Sequence, residues 1–139
     1  DYVSIHPGTT ENLEVSLLRI KSEGAKAGIV FNPDEEFYLS DSLTEIVDLI
    51  LIMSVYPGFG GQSFIDTSLD KVEAAREVIN RCERSIRLQV DGGIKSSNIG
   101  EVAKAGADTF VAGTAIFGTS DYAATIKELK QKVAEVNDA

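Results

Sequence analysis

Short apolar runs alternate with longer stretches in which apolar residues recur every three or four positions, a pattern of strands followed by helices. Residues 2–6 read as a strand. Thr9 or Thr10 is placed to cap a helix reaching about Glu23, with Leu13, Leu17, Leu18 and Ile20 as its buried stripe and Gly24 as its stop. A strand over 27–31 is halted by Asn32-Pro33, and Ser40-Asp41 opens a short helix carrying Leu43, Ile46 and Val47. Residues 49–55 are apolar enough for a strand buried on both faces. A long helix over 67–83 follows, then a strand over 86–90 with Asp91 at its carboxyl end. Ser96 or Ser97 caps a helix to about Ala105, which Gly106 ends. Residues 109–112 form the fifth strand, Ile116-Phe117 start a short helical turn, and 122–136 form the closing helix.

The pattern is α/β: five strand-helix units in one domain, with short connections and no linker or low-complexity segment. Consecutive parallel strands joined by right-handed crossovers make one sheet. A closed (β/α)8 barrel needs eight units and typically about 250 residues. The 139 residues therefore predict either an open five-stranded sheet or the carboxyl-terminal part of a barrel. The chain starts at Asp1 and is already strand-like by Val3-Ser4-Ile5, which reads as a cut through a larger protein.

Composition narrows the chemistry. A formal net charge of −9 argues against nonspecific binding to nucleic acid or to an anionic membrane. No apolar run approaches the roughly 20 residues that span a bilayer, and no signal peptide is visible, so a cytoplasmic location is expected. The single cysteine, Cys82, excludes an intramolecular disulfide and a cysteine-based zinc site.

Three glycine sites each follow a strand-like run: Pro57-Gly58-Phe59-Gly60-Gly61, Asp91-Gly92-Gly93 and Gly113-Thr114. Glycines leave backbone N–H groups open to an anion, and barrel phosphate sites use the loops after the last two strands together with a short extra helix. Gly92-Gly93 and Gly113-Thr114-Ala115-Ile116 occupy those two places. Asp91 reads either as a turn aspartate holding the two glycines or as a carboxylate for acid–base work, metal coordination or both. His6, the single histidine, also ends a strand and divides between a role near substrate and a structural hydrogen bond. Met53 and Phe59 read as pocket walls, and Lys95 and Lys104 as weak Schiff-base candidates.

Three segments together carry a specific resemblance: Ser54-Val55-Tyr56-Pro57-Gly58-Phe59-Gly60-Gly61-Gln62-Ser63-Phe64, Val90-Asp91-Gly92-Gly93-Ile94 and Val111-Ala112-Gly113-Thr114-Ala115-Ile116-Phe117. In order and spacing they resemble the ribulose-phosphate 3-epimerase family, and Asn32-Pro33 sits where that family has it. The resemblance implies a partial (β/α)8 TIM barrel of the ribulose-phosphate-binding type, lacking the first three strand-helix units. It implies interconversion of D-ribulose 5-phosphate and D-xylulose 5-phosphate in the pentose phosphate pathway, with proton transfer at C3 through an enediolate. Asp91 then corresponds to a catalytic acid/base and metal ligand. His6, Met53, Gly58, Phe59, Gly60, Gly61, Gly92, Gly93, Gly113 and Thr114 correspond to substrate-binding positions.

The resemblance further implies one divalent ion (zinc, iron(II) or manganese), a phosphorylated ketose as substrate and a homo-oligomer. The family's remaining metal ligands and an active-site serine lie on its first three strands and have no counterpart here. Near the start, His6-Pro7-Gly8 replaces a histidine followed by an apolar residue and glutamate. The expectation is thus a chain poorly active alone and weak in metal binding. An allulose 6-phosphate 3-epimerase, or a non-catalytic phosphate-binding module, fits the same motifs.

Overall fold

A computed structural model describes residues 1–56, 58 and 62–137. Five strands, β1 (Tyr2–Ile5), β2 (Lys26–Phe31), β3 (Leu49–Met53), β4 (Arg87–Asp91) and β5 (Thr109–Val111), form one sheet in sequence order. Every neighbouring pair is parallel. The connections carry α1 (Leu13–Ser22), α2 (Asp41–Thr44), α3 (Ser68–Arg81), α4 (Ile99–Ala105) and α5 (Thr114–Phe117), and α6 (Tyr122–Asn137) closes the chain. This is the single parallel sheet of consecutive strand-helix units that the alternation predicts.

The two-residue side-chain period of a strand sorts the sheet into two faces. Ile29, Ile50 and Leu88 stand in one register row, and Phe31, Ile52, Val90 and Phe110 in the next. These residues join Leu17 of α1, Val72, Ala75 and Ile79 of α3, and Ile99 and Val102 of α4 in one apolar core. The alternate residues, among them Gln89 and Asp91 of β4, project to the opposite face. Strand register thus separates the stabilising side of the sheet from the side available for chemistry.

Several boundaries differ from the sequence expectation, for identifiable reasons. The helix start expected at Thr9 or Thr10 is delayed, because Pro7–Thr9 form a 3₁₀ turn and Thr9 Oγ1 donates to the His6 carbonyl at 2.7 Å. Asn12 caps α1 instead, accepting from the Val15 N–H at 3.1 Å. Of the expected stripe, Leu17 is fully buried while Leu18 is 48% exposed. The cap expected at Ser96 or Ser97 falls on a turn, and α4 begins at Ile99 after Asn98. Asn98 holds that turn from both sides: its Oδ1 accepts the Lys95 N–H at 2.9 Å and its Nδ2 donates to the Gly93 carbonyl at 2.8 Å. The strand expected over 49–55 ends at Met53, leaving Ser54 and Val55 to begin the next loop. Ser40 caps α2 as expected, and Gly24 takes the left-handed φ of +89° just past the end of α1.

The amino ends of the strands are tied by aspartates. Asp48 Oδ2 accepts the Ala27 N–H at 2.9 Å, and Oδ1 accepts from Arg84 Nη2 at 2.8 Å and from Lys21 Nζ at 3.4 Å. Arg84 Nη1 also donates to the Thr44 and Val47 carbonyls. Asp108 repeats the device at the β4–β5 pair, with Oδ1 accepting the Leu88 N–H and Oδ2 paired with Arg76.

Candidate functional site

The carboxyl ends of β3, β4 and β5 are brought level by register. Met53 pairs with Asp91, and Asp91 pairs with Val111. The three side chains share the face turned away from the helix core and line a cleft of about 870 Å³. The cleft gathers Asp91 with the sequence-predicted Met53, Gly58, Gly92, Gly93, Gly113 and Thr114. Phe59, Gly60 and Gly61 lie outside the described residues.

His6 is placed elsewhere. It is not among the residues lining this cleft, and β2 and β3 stand between β1 and the strand that carries Asp91. Its backbone carbonyl serves the turn after β1, while its buried Nδ1 has no hydrogen-bond partner among the described residues.

Asp91 is half-buried, and no hydrogen bond or ion pair to its carboxylate is present among the described residues. Burial without compensating donors raises its pKa above the ordinary carboxylate value. A carboxylate in this condition holds a proton more readily and stays accessible to a ligand, which suits acid–base work.

The glycines divide into two kinds. Gly92 and Gly93 have φ of +128° and +68°, and a side chain on either would collide with the loop after β3. A Cβ at Gly92 would lie 2.5 Å from Val55 Cγ2, and one at Gly93 would lie 2.8 Å from Phe64 Cα. The interlocking of two loops therefore demands these glycines before any ligand is considered. Gly113 is different: a Cβ there meets nothing within 4 Å, and its backbone has an ordinary negative φ of −105°. It opens α5, whose first N–H groups have no intrahelical acceptor, and Thr114 and Ala115 line the cleft. That arrangement offers an anion N–H donors and a hydroxyl at close approach.

One residue escaped the sequence reading, and another is placed for a different role from the one weighed there. Ser54 is fully buried at the head of the loop after β3 and bonds to the backbone of Asp91 and Gly92. The available signal was a hydroxyl inside a run otherwise apolar enough to be buried on both faces. Lys95 lines the cleft and makes no ion pair with any described residue. It is better placed to meet an anion than to form a Schiff base.

A divalent ion needs several ligands, typically three or more from protein. Among the described residues no three His, Cys, Asp or Glu side chains gather into such a group. Asp91 offers one carboxylate, and the residues described around it do not by themselves fit a metal ion.

A parallel strand-helix sheet with a carboxylate and an anion-ready helix start on one rim defines a barrel-type protein with a phosphate-compatible cleft. Solved structures agree on the fold. The structure of 3-hexulose-6-phosphate synthase from Salmonella typhimurium superposes with a TM-score of 0.65 at 22% identity, covering 98% of this chain and 63% of that one. That of orotidine 5'-monophosphate decarboxylase from Sulfolobus solfataricus gives 0.58 at 14% identity, covering 99% and 61%.

Residues 1–117 match the ribulose-phosphate 3 epimerase family, and the chain belongs to that family. Over 121 residues it is 52% identical to ribulose-phosphate 3-epimerase of Serratia marcescens, covering 87% of this chain and 58% of the relative. Over 135 residues it is 48% identical to the enzyme of the same name from Escherichia coli (strain K12), covering 97% and 60%. The chain thus spans about three fifths of the length of these relatives. No helix among the described residues is long and apolar enough to cross a membrane.

Proposed function

We propose that the protein containing this chain interconverts D-ribulose 5-phosphate and D-xylulose 5-phosphate by proton transfer at C3. Asp91 serves as the acid/base on one face of the substrate. The observation that carries this reading is the unpartnered, partly desolvated Asp91 carboxylate between Met53 and Val111, in the same cleft as Gly113-Thr114.

The substrate's phosphate sits against the first N–H groups of α5 and the Thr114 hydroxyl, with Lys95 on the same cleft wall. Met53 and Val111 flank the carbon skeleton and limit water around Asp91. The carboxylate takes the C3 proton, and the electron pair moves toward the C2 carbonyl to give an enediolate. A proton delivered to the opposite face then completes the epimerisation. Asp91 accounts for one face only, so the partner acid belongs to the units beyond these five, which we assign to the fourth through eighth of a complete barrel. The divalent ion expected from the resemblance requires ligands from the same units. The chain is proposed to act in the cytoplasm as part of a homo-oligomer.

The test is ribulose 5-phosphate turnover by the complete gene product, with and without zinc, iron(II) or manganese. Asp91→Asn is expected to lower it by about 10²- to 10⁴-fold. Undiminished turnover by Asp91→Asn overturns the assignment. Faster turnover of allulose 6-phosphate would move the substrate to the six-carbon series. Tight binding of the sugar phosphate without any turnover would identify a non-catalytic binding module.

A further inference from the structure

Because the Asp91 carboxylate bonds to nothing among the described residues, its aim depends on its backbone, which strand pairing holds up to Asp91 and Ser54 holds at the turn just beyond. Ser54 is 0% exposed and donates its N–H to the Asp91 carbonyl at 2.9 Å. Its hydroxyl is shared between the Gly92 carbonyl, at short distance, and the Asp91 carbonyl at 3.2 Å. Its own carbonyl accepts the Ile65 N–H at 2.8 Å, closing the neck of the loop that follows β3. Both arms of that neck then lie on the glycines after Asp91, Val55 against Gly92 and Phe64 against Gly93. No other described residue donates to the Gly92 carbonyl.

We propose that Ser54 is a positioning residue that fixes Asp91 and the stem of the loop after β3 as one unit, so that the carboxylate and that wall of the cleft keep a single relative geometry. The catalytic part of this inference rests on the epimerase reading, and the structural part does not.

The backbone N–H of Ser54 merely continues the sheet and survives any substitution except proline. The hydroxyl is the added element, reaching one residue past the end of β4 to hold Gly92. Removing it leaves the strand pairing intact and frees the turn that aims Asp91. A displacement of the order of 1 Å at a reacting group costs about 10²-fold in rate, whereas binding through Gly113 and Thr114 on β5's loop is not routed through Ser54.

The test has two arms. In this chain, hydrogen exchange at the Ile65 amide, which closes the loop neck on the Ser54 carbonyl, is expected to quicken about tenfold in Ser54→Ala, as for the loss of one buried hydrogen bond. Ile50 and Leu88, near the amino ends of their strands and away from the turn, are expected to keep their rates. In the complete gene product, Ser54→Ala is expected to lower kcat by about 10- to 100-fold with KM held within about threefold. Ser54→Thr, which keeps the hydroxyl, restores most of kcat. Unchanged exchange and kcat in Ser54→Ala overturn the inference. So does a uniform rise in exchange at all amides, with kcat tracking only the folded fraction. Full activity of Asp91→Asn would instead show the assignment of Asp91 as acid/base to be wrong, and the exchange arm would still decide the coupling of loop and turn.

Discussion

At the amino end of the sheet, Asp48 and Asp108 each stand one residue before a strand and accept an N–H from the neighbouring strand. At the carboxyl end, Asp91 closes a strand and its carboxylate accepts nothing from the described residues. Burial pushes the proton affinity of Asp48 upward, as it does for Asp91, but the Ala27 N–H and the charges of Lys21 and Arg84 outweigh it, and its pKa ends below the usual value. With burial uncompensated, the pKa of Asp91 ends above it. The same side chain is thus structural where fixed donors consume its lone pairs and available for chemistry where they do not.

The largest test exchanges the two roles. Asp91→Asn should remove about 10²- to 10⁴-fold of turnover in the complete protein while leaving thermal stability unchanged or slightly raised, since a partly desolvated charge disappears. Asp48→Ala should do the reverse, because the Ala27 N–H and Arg84 lose their acceptor, at a cost of about 2 kcal/mol in stability. Calorimetry beside a turnover assay separates them. Loss of activity in Asp48→Ala at temperatures where it is fully folded would break the division between the two ends.

A second comparison lies within the cleft, between Gly93 and Gly113. Gly93→Ala places a methyl against the Phe64 backbone at a φ of +68°, and both effects oppose folding. An expected loss of about 2–4 kcal/mol follows from overpacking and left-handed strain together. Gly113→Ala enters open space at φ −105° and should change stability by no more than about 0.5 kcal/mol. Its effect should appear instead as weaker binding of sugar phosphate, read by titration. Equal destabilisation by the two would mean that Gly113 is also a packing glycine.

The order and type of the elements were legible because each strand is a short apolar run and each helix carries an apolar stripe. Register, which puts Met53, Asp91 and Val111 side by side, follows once the strands are parallel and consecutive. What the sequence did not show depends on contacts between loops. Asn12 caps α1 and Asn98 precedes α4 where hydroxyl residues were expected, because a 3₁₀ turn and an Asn-held loop shift the helix starts by one to three residues. Gly92 and Gly93 read as open backbone for a ligand, yet the space beside each is filled by Val55 and Phe64. Ser54 lies 37 residues from Asp91 in sequence, so no local pattern links them. His6 shares the feature of ending a strand with Asp91 but lies on the far side of β2 and β3.

The pH dependence of folding sharpens the contrast at smaller amplitude. A carboxylate with a lowered folded pKa contributes stability that is present above its unfolded value, near 4, and is lost as pH falls through the folded value. Asp48 is of this kind. Asp91, with a raised folded pKa, subtracts stability when ionised and returns it as pH falls through that raised value. Urea midpoints measured from pH 7 to 3 should therefore show Asp48→Asn with a flatter acid limb by about 1–2 kcal/mol. Asp91→Asn should show a steeper one, having lost the opposing gain. The same slope in both variants would contradict the opposite shifts.

The smallest effect is expected at Asp108, which has the geometry of Asp48 without its enclosure. Its side chain is 45% exposed against 17% for Asp48, and its charged partner Arg76 lies at 3.1 Å with 27% of its side chain open to water. Asp108→Asn keeps an oxygen to accept the Leu88 N–H and removes only the charge facing Arg76, which still donates from Nε to the Gly106 carbonyl at 2.9 Å. An exposed pair of this kind contributes up to about 1 kcal/mol and is screened by salt. The variant should lose less than that in dilute buffer, and the difference from the parent should vanish in about 1 M salt, where the screening length falls to roughly 3 Å. A loss as large as that of Asp48→Ala, undiminished by salt, would mean that enclosure is not what ranks these two aspartates, and that the charge facing Arg76 contributes as much at an exposed site as at an enclosed one.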